Sequence, residues 1–171
     1  MPIPLKAALE DKIDDIHMST RWSGAGVSIE YNEKFIDSSI RFADPDILKM
    51  FSFKLLNGDQ QTALDDLGSI VITQKQATKI FGTADPMGKS IQVKYAGMNK
   101  SLIVKGILED TPFQSSLELS MVTRFENSPD YQKIKDNWNN QNHNLFVQIH
   151  PNSSFEPVSY THLTLPTKRI V

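Results

Sequence analysis

Along most of this chain, apolar residues recur at every second position in strand-length runs and never gather into one long unbroken apolar stretch. Val27, Ile29 and Tyr31 alternate with polar residues, Asn32-Glu33 reads as a turn, and Ile36, Ile40 and Phe42 follow on a second strand. Ile91, Val93 and Tyr95 repeat the pattern, residues 96–100 turn, and Leu102 to Leu108 return as the other arm of a hairpin. Leu117, Leu119 and Met121, then Leu145, Val147 and Ile149, supply further alternating strands, and Ser69 to Thr73 reads as a short buried-type strand. A side-chain period of two commits these segments to sheet, with one face turned to a core.

Helical signals are interleaved with the strands. Leu5, Ala8, Leu9, Ile13 and Ile16 recur at helical spacing after Pro4, predicting an amphipathic helix of about three turns. Asp44 reads as an N-cap with Pro45 at the first helical position, leading Ile47, Leu48 and Phe51 into a short helix. The dense apolar run of Phe51, Phe53, Leu55 and Leu56 ends in a turn at Asn57-Gly58-Asp59. Thr73 caps a helix carrying Ala77, Ile80 and Phe81, with Gln76 placed to complete a capping box and Gly82 to stop it. Residues 127–144 form a polar, Asn-rich surface excursion pinned by Tyr131 and Trp138. Without strict βαβ regularity, the expected class is α+β, a mixed sheet with flanking helices.

Composition narrows the chemistry. The 171 residues hold 18 Lys and Arg, 20 Asp and Glu, and no cysteine. Disulfides, thiolate metal sites and a cysteine nucleophile are therefore excluded, and basic residues scattered among acids do not make a nucleic-acid surface. No window approaches the ~18 apolar residues of a membrane-spanning helix. Lys6, Glu10, Asp11 and Lys12 interrupt any signal-peptide core.

The segment from Val158 to Thr167 back-translates to a sequence resembling the end of a transposase-type library adaptor, which a short index and a stop would follow through Lys168, Arg169, Ile170 and Val171. Residues 158–171 are therefore expected to be a non-native tail, residues 1–157 the domain, and neither end a biological terminus. Without Lys168 and Arg169 the remaining 16 basic residues stand against 20 acidic ones, a net charge of −4.

Motifs of chemistry are weak. Gly82 to Ser90 looks like a phosphate-binding loop, but five residues separate Gly82 from Gly88, the segment follows a helix and opens a strand, and Pro86 lacks an N–H. It reads as a helix-to-strand connection with glycines at both corners. His17, His143 and His150 fall in no metal-ligand spacing and read as packed or surface residues. Asp14/Asp15 and Asp65/Asp66 point apart rather than converge, and Asp44/Asp46 lack a calcium loop, so capping accounts for Asp44. Trp138, set among asparagines, is a candidate contact surface for a sugar or peptide, against a plainer role anchoring the loop on the core. No residue is assigned a catalytic, cofactor-binding or metal-ligating role, and no cofactor is expected.

One larger pattern remains. Asp44-Pro45, Leu48, the run from Phe51 through Phe53 and Gly58 to Asp59, Ser69 to Thr73 with Ala77, Ile80-Phe81-Gly82, Asp85-Pro86-Met87-Gly88-Lys89, Val104 to Asp110 with Gly106, and Pro112 with Ser115 resemble, in order, the MacB-like periplasmic core domain of FtsX-like ABC transporter permeases. Ser115-Ser116 stands where the family commonly has Ser-His, so no role for that histidine carries over. The resemblance implies two small subdomains, one porter-like and one an inserted β-rich lobe. It also implies a non-enzymatic extracytoplasmic (periplasmic) segment of a bacterial inner-membrane permease, acting in efflux or in transmitting ATP-driven motion. The implied partners are a cytoplasmic ABC ATPase, a second permease copy and a periplasmic protein; nucleic acid is not among them. The alternative is a free-standing secreted peptide- or glycan-binding module working through Trp138.

Overall fold

A computed structural model describes residues 1–110, 117 and 119–151. In chain order the elements are α1 (Leu5–Lys12), β1 (Ile16–Tyr31), β2 (Lys34–Ala43), α2 (Ile47–Met50), β3 (Leu55–Gly58), β4 (Ser69–Thr73), α3 (Gln74–Phe81), β5 (Ser90–Tyr95), β6 (Met98–Leu108), β7 (Met121–Arg124), a 3-10 turn (Phe125–Asn127), α4 (Tyr131–Ile134) and β8 (Asn144–Ile149). The α+β class and the mixed sheet are as expected. The eight strands among the described residues all belong to one sheet.

The pairings close on themselves. β1 runs antiparallel to β2, β2 parallel to β7, β7 antiparallel to β4, β4 parallel to β6, β6 antiparallel to β5, and β5 antiparallel back to β1. This ring leaves two strands outside it: β3 on the C-terminal half of β6 and β8 on the N-terminal half of β1. Alternation sorts the side chains. Val27, Ile29, Ile40, Phe42, Ile70, Ile72, Ile91, Val93, Leu102 and Val104 pack into one cluster with Ala77, Ile80 and Phe81 of α3. Their neighbours Val71 and Val122 face the other way, under Ile47, Leu48, Ala63 and Leu64. A third, smaller cluster joins Leu5, Leu9 and Ile13 to Ile16, Leu145 and Val147.

Turn chemistry matches the sequence closely. Asn32 and Glu33 both take positive φ (47° and 63°), the two-residue hairpin geometry that suits the right-handed twist of the strands. The β5–β6 hairpin is tighter than expected: Ala96 and Gly97 turn alone (φ 46° and 76°), and Tyr95 pairs directly with Met98.

Several local expectations are corrected. The first helix stops at Lys12, Ile13 is extended (φ −128°, ψ 98°), and Ile16 opens β1, because pairing with β8 begins there. Thr73 caps α3 as expected, its hydroxyl accepting from the Gln76 backbone N–H at 3.3 Å. Gln76 does not return the bond. Its buried side chain accepts from Ser38 at 3.2 Å, and the Thr73 N–H goes to the Ser120 carbonyl at 3.0 Å. Leu119 is buried, but β7 begins only at Met121. Asp44 is not a side-chain cap: Asp46 immediately precedes α2 without a capping bond, and the Asp44 carboxylate turns towards β1.

Candidate functional site

Ala43 pairs with Trp22, so Asp44, the next residue, sits beside Arg21 where β2 ends. The Arg21 backbone N–H donates to Asp44 Oδ2 at 2.7 Å, and its Nε donates to the same oxygen at 3.0 Å. Nη2 donates to Asp44 Oδ1 and, at 2.9 Å, to Glu126 Oε1. Arg124 Nε holds the other Glu126 oxygen at 2.9 Å. The Arg21 guanidinium lies 4.3 Å from the centre of the Phe125 ring and 5.8 Å from that of Tyr131. One side chain on β1 thereby ties together the β2–α2 corner, the 3-10 turn and α4.

Both principal charges are buried, Arg21 at 9% exposure and Asp44 at 5%. Burial works to strip the Arg21 proton, but the hydrogen bonds and charge of Asp44 outweigh it and hold the proton more firmly than in a free guanidinium. Removing one partner would strand the other charge in a poorly solvated site, a loss of about 3–5 kcal/mol. No reaction follows from this arrangement. A fixed, doubly bonded ion pair positions backbone.

His143 lies at the edge of the same region, its ring 5.0 Å from Phe125 and its Nδ1 3.3 Å from the Asn142 side-chain oxygen. Burial first, then the nearby N-terminal ammonium and Arg21, push its pKa down to about 4, so the ring is neutral near pH 7. Its Nε2 is buried and finds no partner among the described residues.

The sequence-predicted residues are spread through the fold rather than gathered. Pro45 follows Asp44 at the corner before α2. The Phe51 ring meets Phe53 at 6.1 Å and Phe146 of β8 edge-on at 5.2 Å. A shallow groove of about 640 Å³ runs beside β3, lined by Lys49, Phe53, Lys54, Leu55, Gly58 and Gln60. Gly58 (φ 97°) and Gly106 pair across β3 and β6 at close range, where a Cβ on Gly58 would stand 2.9 Å from the Gly106 Cα. Ala77 and Phe81 bury one face of α3. Gly82 and Gly88 take positive φ (64° and 73°) at the two corners flanking Pro86, and the Gly88 N–H donates to Val104 at 2.9 Å. Pro112, with Ser115 and Ser116, lies outside the described residues, as does the tail from residue 152. Trp138 is 47% exposed, so it does not anchor its loop; Tyr131 does, against Phe125 at 6.1 Å.

Sequence reasoning missed Arg21 and Glu126, and read His143 as packed or surface, of which the fold makes it packed. The one available signal was Arg21 itself, a charge where β1 runs through Thr20 and Trp22 into the core. Among the described residues, no group of three or more His, Asp or Glu side chains gathers to hold a metal. No helix among them is long and apolar enough to cross a membrane.

Comparisons with known proteins agree with this fold. The MacB-like periplasmic core domain family matches residues 3–159. A permease-type protein domain from Porphyromonas gingivalis superposes with a TM-score of 0.76 at 24% identity, over 92% of this chain and 66% of that one, so the chain spans just under two thirds of its length. The periplasmic region of MacB from Actinobacillus actinomycetemcomitans gives 0.68 at 15% identity, over 96% and 72%. The extracellular domain of the noncanonic ABC-type transporter YknZ from Gram-positive bacteria gives 0.60 at 17%, over 88% and 74%. No curated protein matches the sequence.

Proposed function

The chain belongs to the MacB-like periplasmic core domain family, and from that premise we propose that it is the extracytoplasmic part of a bacterial inner-membrane ABC permease, passing ATP-driven motion across the envelope for export or mechanotransmission. In this reading ATP is hydrolysed on a separate cytoplasmic ATPase, the permease works as a dimer, and a periplasmic protein receives the motion. The domain itself supplies no chemistry in this reading; it is pushed and pulled.

The observation that supports this most is the path of β1. Its first half pairs with β8, from Ile16 opposite Ile149 to Trp22 opposite Asn144, and its second half is built into the ring against β2 and β5. A displacement applied at the α1–β8 end therefore reaches the ring through one continuous strand, clamped midway by Arg21 and Asp44. The test is the intact gene. Apolar spans of about 20 residues should flank the domain, with an ATPase gene beside it; an intact gene without any such span contradicts the proposal.

A second reading, a secreted peptide- or glycan-binding module, draws on the exposure of Trp138 on its Asn-rich loop. It requires a signal peptide without further membrane spans, and loss of ligand binding in Trp138→Ala.

A further inference from the structure

We propose that the Arg21–Asp44–Glu126 cluster is a latch: it holds the α1–β8 side of the domain against the ring, and its release lets that side open while the ring stays folded. The proposal holds whether or not the domain sits in a permease.

Geometry divides the molecule at this place. Residues 16–22 of β1 pair with β8, whereas residues 22–31 pair with β2, so Arg21 stands at the seam between two sets of partners. The two sides also have separate apolar packing. Leu5, Leu9 and Ile13 of the first side pack with Ile16, Leu145 and Val147, apart from the ring interior and from the layer over β4 and β7. Apolar and ring contact across the seam is limited: Ile3 reaches the ring interior, Phe146 meets Trp22 and Phe51, and the Phe125 ring lies against His143 and under the Arg21 guanidinium. The groups holding the seam shut are otherwise polar, with Arg21 on one side and Asp44 and Glu126 on the other.

A charged seam opens on different terms from an apolar one. Separating buried hydrocarbon exposes area to water at roughly 25 cal/mol per Å² and gains nothing in return. When an ion pair opens, both charges regain their hydration, which offsets much of the lost attraction. The seam is thus the place where the fold can part at least cost. Closure depends on pairing: with Asp44 neutralised, the closed state holds an uncompensated guanidinium that opening would hydrate.

Amide hydrogen exchange on the full chain tests this. In Asp44→Asn, the amides of residues 16–21 and of β8 should accelerate about tenfold or more beyond whatever acceleration the amides of β4 and β5 show. The paired replacement Arg21→Met with Asp44→Leu, which fills the seam with hydrocarbon, should slow exchange at the same β1 and β8 amides. Equal acceleration in both sets in Asp44→Asn, or no acceleration in either, overturns the latch. Should Asp44→Asn fail to fold, Glu126→Gln is measured against the same two sets of amides with the same criterion.

Discussion

The ring interior and the charged seam are both deeply buried, yet they are held by opposite means. Ile29, Ile40, Phe42, Ile70, Ile72 and Val93 are fully enclosed and carry no polar group. Any one of them contributes through area and close packing, and its neighbours share the work. Around Arg21 a single guanidinium serves Asp44, Glu126 and the Phe125 ring, so the loss of one group leaves its partners unmatched. The interior makes the domain stable; the seam decides how its parts are joined.

Substitutions should separate the two. The largest effect is expected from Asp44→Ala, a loss of about 3–5 kcal/mol in denaturant unfolding, because Arg21 is left buried and unpaired. Ile72→Ala should cost about 2–5 kcal/mol, the usual penalty for a buried cavity. The distinguishing mark is the remedy: Asp44→Ala should be relieved by a second change at Arg21, whereas Ile72→Ala should not.

His143 sharpens the contrast through pH. Its pKa is about 4 in the fold against an ordinary value of 6.5, so the unfolded chain binds the proton more readily. Its contribution to stability is full above pH 6.5 and is lost as pH falls towards 4. Melting temperature should accordingly decline across that window, and less steeply in His143→Gln. A parallel decline in both proteins would remove His143 from the account.

Two smaller effects lie outside both regions. Thr73→Ala should cost about 1 kcal/mol, the value of one helix cap, in thermal unfolding. Trp138→Ala should stay within about 0.5 kcal/mol, as for an exposed residue away from special features; a larger loss would mean that this ring does pack. Removing residues 158–171, which we propose are no part of the domain, should leave the melting curve unchanged.

How much was legible in the sequence follows the same division. The ring strands announce themselves because period-two alternation is local, as in Val27-Ile29-Tyr31 and Ile91-Val93-Tyr95, and Asn32-Glu33 and Gly82 carry their own backbone signals. Thr73 as a cap is local too. The seam was not legible, since Arg21 and Asp44 lie 23 residues apart and Arg21 and Glu126 lie 105 apart, and nothing near Asp44 distinguishes a cap from an ion-pair partner. Local pattern favoured the cap, and the long-range partner won, because a carboxylate beside a buried guanidinium gains more than one facing the first turn of a four-residue helix. Gln76 likewise leaves the capping box for a partner distant in the chain, the Ser38 hydroxyl on β2. Closure of the sheet into a ring was equally hidden, because the parallel pairings of β2 with β7 and of β4 with β6 join segments distant in the chain.

The most direct test is a double-mutant cycle on the seam itself, comparing Arg21→Met, Asp44→Leu and the pair of substitutions together by denaturant unfolding. If the charge pair joins β1 to the ring, each single change should be strongly destabilising and the double variant should recover most of the loss, with a coupling energy of about 2 kcal/mol or more. Single effects that add to within about 0.5 kcal/mol would contradict it.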